Sequence, residues 1–235
     1  MSTSYFITGT DTDAGKTFVT ALMLRTLAAS GERAVGLKPI ASGFELTQGA
    51  WRNSDVEQLA AASSCSLPAE RVNRYGFKPA IAPHIAAAMQ STELDFDLIA
   101  DDVQYAQKRA DWVLVEGVGG WEVPLSMLNK SSSASIAGLA AKLDLPVIMV
   151  VGMRLGCLNH ALLTARAIQA SGQRLAGWVA NNITPNFDYA TENRDTLAAR
   201  IAAPLLFEVP FMEHESSGVV QINAGINWIE HLRSY

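Results

Sequence analysis

Short apolar runs alternate along this chain with longer amphipathic stretches, and the alternation itself predicts a fold. Tyr5–Thr8, Ala34–Leu37, Trp112–Val115, Val147–Val151 and Leu175–Ala180 are β-branched or aliphatic almost throughout and are bounded by Gly, Asp or Pro. Strands buried on both faces read this way. Leu205–Val209 is a shorter candidate of the same kind. Between the strands, Val19, Leu22, Met23 and Leu27 recur with the spacing of one helix face, and Ala161, Leu162, Ala165 and Ile168 do the same. Gly31 and Gly172 stand where C-terminal helix caps belong. The order implies an α/β protein with a mostly parallel central sheet and helices on both faces. From 44 to about 110 strong strand patterns are missing; that stretch reads as helix and loop, with Pro79, Pro83 and Ser91-Thr92 as turn and cap signals. Ser131-Ser-Ser reads as a cap for the next helix, and Ile222–Tyr235 as a short closing helix. Without a linker or repeat, residues 1–235 are expected to form a single domain.

Composition narrows the class of partner. The chain is 49% hydrophobic and 17% charged, a globular balance. Its net charge is −5 and it has no basic run, which disfavours nucleic acid or an anionic membrane as partner. An anionic ligand must therefore be held by a local device. Cys65 and Cys157 show neither a disulfide framework nor metal-ligand spacing and read as reduced thiols. The first residues carry no basic region, and no apolar run approaches the ~18 residues of a spanning helix. The expectation is a soluble, cytoplasmic protein.

In sheets of this kind ligands collect beyond the carboxyl ends of the strands. Polar motifs fall there: Gly9–Thr17, Lys38–Gly43, Glu116–Gly120, Gly152–Asn159 and Asn181–Pro185 each follow a predicted strand. Gly9-Thr-Asp-Thr-Asp-Ala-Gly-Lys-Thr17 lies between a strand and an amphipathic helix, the context of a phosphate-binding loop. Backbone N–H groups around Ala14, Gly15, Lys16 and Thr17 would form an anion nest at a helix N-terminus. Lys16 would reach the β- and γ-phosphates, and the Thr17 hydroxyl would ligate Mg²⁺. Five residues separate Gly9 from Gly15 where the general pattern has four. Glu116 ends an apolar strand and is followed by Gly-Val-Gly-Gly, a costly place for a carboxylate unless it binds something. Asp55 reads equally as a metal ligand or as part of an Asn53-Ser-Asp55 helix cap. Lys38 is either a phosphoryl-stabilising cation or a surface lysine leading into a loop.

Taken together, the motifs resemble those of the dethiobiotin synthetases. The longer loop Gly9-Thr-Asp-Thr-x-x-Gly-Lys-Thr17 is similar to that family's opening motif. Lys38-Pro-Ile-Ala-Ser-Gly43, Asn53-Ser-Asp55, Pro83-His84, Glu116-Gly-Val-Gly-Gly120, Leu155-Gly-Cys-Leu-Asn-His160 and Gly177-Trp-Val-Ala-Asn-Asn182 are similar too. The likeness spans residue 4 to about 213. It implies a P-loop NTPase-like fold and an ATP-dependent ligase that carboxylates 7,8-diaminononanoate with CO2 and closes a cyclic urea.

By the same resemblance, Lys16 and Lys38 are catalytic, and Thr17, Asp55 and Glu116 hold Mg²⁺. Asp13, Ala14, Gly15, Phe18, Gly117, Val118 and Gly119 surround the phosphates. Asn181 and Asn182 read the base, with Pro210, Phe211 and Met212 lying against it. Two amides rather than an acidic residue favour ATP over GTP. Thr12 and Ser42 meet the substrate, and Gly156, Cys157, Leu158 and Asn159 reach it from the neighbouring subunit of a homodimer, where free N–H groups at a helix start suit a carboxylate. His160 is read as helix packing. The likeness weakens late in the chain: Asn193 stands where the family often has a substrate-contacting Tyr, with Tyr189 nearby, and Ser217, Glu213 and Glu215 are alternatives for a ribose contact. A dimeric regulatory ATPase of the partition type is the alternative reading, but it usually carries a second lysine early in the loop, where this chain has Thr10. A corrinoid amidoligase would need a glutaminase domain for which no residues remain.

Overall fold

A computed structural model describes residues 2–127, 134–212 and 226–235. The chain opens with β1 (Thr3–Gly9), α1 (Lys16–Ala29), β2 (Ala34–Leu37), β3 (Ile40–Ser42), β4 (Glu45–Thr47) and β5 (Ala50–Arg52). It continues through α2 (Ser54–Ala62), α3 (Ala69–Val72), β6 (Tyr75–Phe77), α4 (Pro83–Met89), α5 (Phe96–Gln107) and β7 (Trp112–Gly120). The last part holds α6 (Ile136–Leu143), β8 (Val147–Met153), α7 (Cys157–Ala170), β9 (Leu175–Asn182), α8 (Ala190–Ala198), β10 (Leu205–Val209) and α9 (Trp228–Ser234). The six strands expected from their apolar runs form one sheet, ordered β10-β9-β8-β1-β7-β2, and every pairing in it is parallel.

Alternation along the strands divides the core in two. Phe6, Val113, Val115, Val147, Met149, Val151 and Trp178 face one side and pack with residues of α4, α5, α6 and α7. Tyr5, Ile7, Leu114, Ile148, Val150 and Val179 face the other and pack with α1, α2 and α9. Both layers are apolar, so the strands carry no polar alternation. Helix α1 is buried beyond its expected face, Thr20, Ala21 and Leu24 included, because α2 covers the side turned away from the sheet. Gly31 and Gly172 follow α1 and α7 at φ +84° and +77°, the left-handed conformation that ends a helix.

The stretch from 44 to 110 holds strands that the pattern does not reveal. β4 and β5 form a hairpin whose Gln48 and Gly49 both take positive φ, the geometry of a two-residue turn. All six of its strand residues are exposed, so burial leaves no signature on them. β6 pairs with β3 through only three residues. Pro83 is the first residue of α4, and Ser91 takes positive φ just past its end. The expected cap at Ser131-Ser-Ser lies outside the described residues, as do 222–225 of the closing helix; α6 is capped by Ser135, whose side chain accepts from Gly138 N.

One expectation about strand length is corrected. Glu116–Gly120 does not follow β7 but forms its second half, and Gly120 still pairs with Gly9 after a register shift between Ile7 and Gly9. Asn181 and Asn182 likewise end β9. Strands continue into the crevice because a neighbour is there to pair with, and that carries their functional side chains on rigid backbone.

Candidate active site

At the carboxyl edge of the sheet lies a cavity of about 690 Å3, built from the β1–α1 loop, the ends of β2 and β7, and α2. Thr12, Asp13, Gly15, Lys16, Thr17 and Phe18 line one wall. Lys38, Ser42 and Asp55 line another, and Glu116, Val118 and Gly119 a third. Gly15 sits at φ +81° immediately before α1, and a Cβ there would come within 2.1 Å of Asn181 Nδ2. Glycine is required on both counts. Ala14 is buried, and its carbonyl accepts a 3.0 Å hydrogen bond from Asn181 Nδ2.

Lys16 is 4% exposed and folds back over its own loop, donating to Asp11 O at 3.0 Å and Thr12 O at 3.1 Å. Burial, and then the neighbouring charge of Lys38, lower its pKa to about 8 against the pull of Glu116, Asp55 and Asp11. An arriving polyphosphate would offer this ammonium charged acceptors in place of two neutral carbonyls.

Lys38, following β2, is buried and bridges two carboxylates, with Nζ 2.5 Å from Glu116 Oε1 and 3.0 Å from Asp55 Oδ2. It also donates to Gly117 O at 3.4 Å. Burial alone would depress this ammonium, but Glu116 and Asp55 outweigh it and hold the pKa above the ordinary lysine value. It is not a surface lysine. In the 53–55 segment Asn53 caps α2 by accepting from Val56 N, while Asp55 turns to Lys38.

Thr17 Oγ1 donates to Glu116 Oε1 at 2.7 Å, so the loop hydroxyl and the strand carboxylate already meet. Glu116 Oε2 and Ser42 Oγ are buried without a hydrogen-bond partner among the described residues. Buried oxygens left this way normally have an absent partner. No group of three His, Cys, Asp or Glu side chains gathers among the described residues. Two carboxylates and a hydroxyl suit a cation such as Mg²⁺, which takes few protein ligands and completes its shell with phosphate and water.

Some lining residues escape sequence reasoning. Gln58 is one helical turn from Asp55 on the same face of α2, a spacing that could have found it. Ala80, Ile81, Ala82 and Val123 supply an apolar wall with Pro83, for which no sequence pattern was available.

A second cavity of about 200 Å3 adjoins the first through Phe18 and is lined by Asn181, Asn182, Ile183, Pro210, Phe211 and Met212. The five residues assigned to the base are therefore together. Asn182 Nδ2 donates to Val209 O and Glu208 Oε1.

Other expected residues stay apart. Gly156, Cys157, Leu158 and Asn159 start α7 and line neither cavity of their own chain. The Cys157 thiol is buried and its N–H is already donated to Arg154 O at 2.9 Å, so fewer N–H groups are free there than expected. His160 is exposed rather than packed. Tyr189 is exposed, and Asn193 Nδ2 donates to its carbonyl, so neither reaches the cavity. Glu213, Glu215 and Ser217 lie outside the described residues.

Comparison with known proteins agrees with this geometry. A family model described as an AAA domain matches residues 3–217. The ATP-dependent dethiobiotin synthetase BioD of Vibrio parahaemolyticus is 42% identical over 90% of this chain and 91% of its own. That of Aromatoleum aromaticum is 48% identical over 88% of this chain and 90% of its own. Among solved structures, the cell division protein FtsY of Thermotoga maritima superposes with a TM-score of 0.56 at 15% identity, covering 100% of this chain and 69% of that one, a likeness of fold alone. With identity at this level running nearly end to end, and with the phosphate loop, Lys38 and Glu116 converging on one cavity, the chain belongs to the ATP-dependent dethiobiotin synthetase family.

Proposed function

We propose that this protein closes a cyclic urea on 7,8-diaminononanoate, using CO2 and ATP and releasing ADP and phosphate. The observation that carries the reading is Lys38, held buried and charged between Glu116 and Asp55 in the same cavity as Lys16. The diamine lies along the wall of Ile81, Ala82 and Pro83, whose apolar surface suits an aliphatic chain, with Ser42 Oγ taking a polar group of the reacting end. One amine takes up CO2 as a carbamate. A carbamate oxygen attacks the γ-phosphorus and ADP leaves; the second amine then attacks the carbamoyl carbon and expels phosphate. Lys16 binds the β- and γ-phosphate oxygens, and Lys38 stabilises charge shared between the transferring phosphoryl group and the carbamate oxygen. No protein nucleophile is needed, because both bonds form between bound reactants. Mg²⁺ would be held by Thr17, Asp55 and Glu116 and would supply charge neutralisation between phosphate oxygens. The base occupies the pocket of Asn181, Asn182, Pro210, Phe211 and Met212.

In this reading the protein is a homodimer, and Gly156–Asn159 of one chain holds the far carboxylate of the diamine bound in the other. No helix among the described residues is long and apolar enough to cross a membrane, which is compatible with work in the cytoplasm. Incubation with ATP, Mg²⁺, bicarbonate and 7,8-diaminononanoate should yield dethiobiotin, read by mass, and phosphate in equal amount. Phosphate release that is indifferent to the diamine, with no dethiobiotin, overturns the proposal and favours a regulatory ATPase.

A further inference from the structure

The phosphate loop carries two carboxylates, Asp11 and Asp13, although its proposed ligand is a polyanion. Asp13 lines the main cavity. Asp11 is bonded on three sides. Its Oδ1 accepts from Thr12 N at 2.8 Å, and its carbonyl accepts from Lys16 Nζ at 3.0 Å. Its remaining oxygen, Oδ2, accepts from Arg154 Nη2 at 2.5 Å, a contact that comes from outside the loop. The sheet brings Arg154 there. Thr10 N donates to Val150 O at 3.0 Å, so β8 flanks the start of the loop, and the strand runs on to Met153, one residue before the arginine. Arg154 O in turn accepts from Cys157 N at 2.9 Å at the start of α7, which fixes the backbone that launches the side chain. Arg154 itself lines neither the main cavity nor the base pocket. Burial lowers the Lys16 pKa, and Asp11 is among the carboxylates that oppose the fall, so the Asp11 charge is felt where phosphates would lie. The pair is partly open to solvent, with the Arg154 side chain 37% exposed and that of Asp11 46%, so salt can screen it.

We propose that Arg154 is a positioning residue of the phosphate loop: it neutralises Asp11 and so lets a loop that bears carboxylates accept a polyphosphate. The inference rests on the reading that this loop takes the nucleotide's phosphates. The loop has five residues between Gly9 and Gly15, one more than the general pattern, and the bond from Thr12 N to Asp11 Oδ1 folds part of that extra length. The carboxylate therefore has a local structural use, but at an anion site it also repels the ligand. Arg154 removes the second effect and leaves the first. Without the guanidinium, Asp11 would set an uncompensated negative charge beside the β- and γ-phosphates. The repulsion grows with the charge of the ligand, so ATP feels it more than AMP, which lacks the two phosphates that Lys16 binds.

The test is isothermal titration of the full-length protein with MgATP and with AMP, at about 50 mM and about 500 mM salt. At low salt Arg154→Gln should weaken ATP binding by about threefold or more and AMP binding by less than about twofold, and the difference should shrink at high salt. Arg154→Lys, which keeps the charge, should stay near the parent. Adding Asp11→Asn to Arg154→Gln should restore most of the lost ATP affinity, because an amide still accepts from Thr12 N and carries no charge. Melting curves without nucleotide check that each variant is folded. Should Arg154→Gln not fold, Asp11→Asn alone carries the test and should bind ATP at least as tightly as the parent. Equal losses for ATP and AMP, or a loss that Asp11→Asn leaves unrepaired, would make the pair a structural brace only and overturn the inference. Unchanged ATP affinity in Arg154→Gln would overturn it too, as would weaker ATP binding in Asp11→Asn alone. A parent that binds no nucleotide would instead sink the nucleotide reading itself.

Discussion

Lys38 keeps its charge where an unpaired ammonium would not survive, because burial is opposed by two carboxylates within 3.0 Å. In the proposed reaction this arrangement would set a charged donor beside the phosphate loop before any substrate arrives and so lower the reorganisation needed during phosphoryl transfer. Lys38→Ala should therefore cut dethiobiotin formation by well over ~100-fold, since loss of one such donor costs roughly 2.7–4 kcal/mol. Single-turnover product yield with saturating ATP measures this. The same change leaves Glu116 and Asp55 without their counter-charge, so Mg²⁺ should raise the melting temperature of the variant more than that of the parent. A variant that turned over normally would remove Lys38 from the chemistry. At this scale the sequence was most legible where a residue type is physically improbable without a function. Glu116 on an apolar strand is such a case, and Gly15 next to a lysine at a helix start is another. It was least legible at Ala80–Ala82, whose place comes from facing the cavity and not from any chemistry of their own.

Among elements, the sheet was readable because strands covered on both faces must be apolar on both, as β1, β7, β8 and β9 are. The β4–β5 hairpin was not, since exposed strands of three residues leave neither period nor burial to read. Neither were the far ends of β7 and β9, where glycines and amides mask strand geometry that only a paired neighbour specifies. Pairing of a different kind seats the closing helix: Tyr5 OH of β1 donates to Leu232 O of α9 at 2.5 Å. Burial first, and then the Tyr235 phenol, raise the Tyr5 pKa from 10.0 to about 12, while Arg174 pulls the other way. The fold favours the protonated phenol. Its contribution is whole below pH 10 and is lost as pH rises towards about 12, where the folded form ionises. Tyr5→Phe should cost about 1 kcal/mol at pH 8 through the lost hydrogen bond. Urea titrations at pH 8, 10 and 11 should also show a shallower alkaline decline in the variant than in the parent. Parallel declines would place the alkaline sensitivity elsewhere.

For the whole molecule, Gly156–Asn159, the proposed anchor of the diamine's carboxylate, lines neither cavity of its own chain. Leu155, just before it, is 94% exposed and Leu163, two turns on, is 55% exposed, an apolar edge beside the segment. The proposed homodimer resolves the separation by letting one chain complete the cavity of the other, and that arrangement can be tested by complementation. Asn159→Asp would set a negative charge against the diamine's carboxylate and so disable the anchor, while Lys38→Ala disables the catalytic side. In a mixed dimer of the two variants, one cavity receives both defects and the other receives neither. Random mixing makes half of the dimers mixed, so about a quarter of all cavities should regain parental turnover if the anchor comes from the partner. Co-expression with two affinity tags isolates the mixed species, in which about half of the cavities should then be active. Were Gly156–Asn159 to serve its own chain instead, every cavity would carry one defect or the other, and mixing would restore nothing.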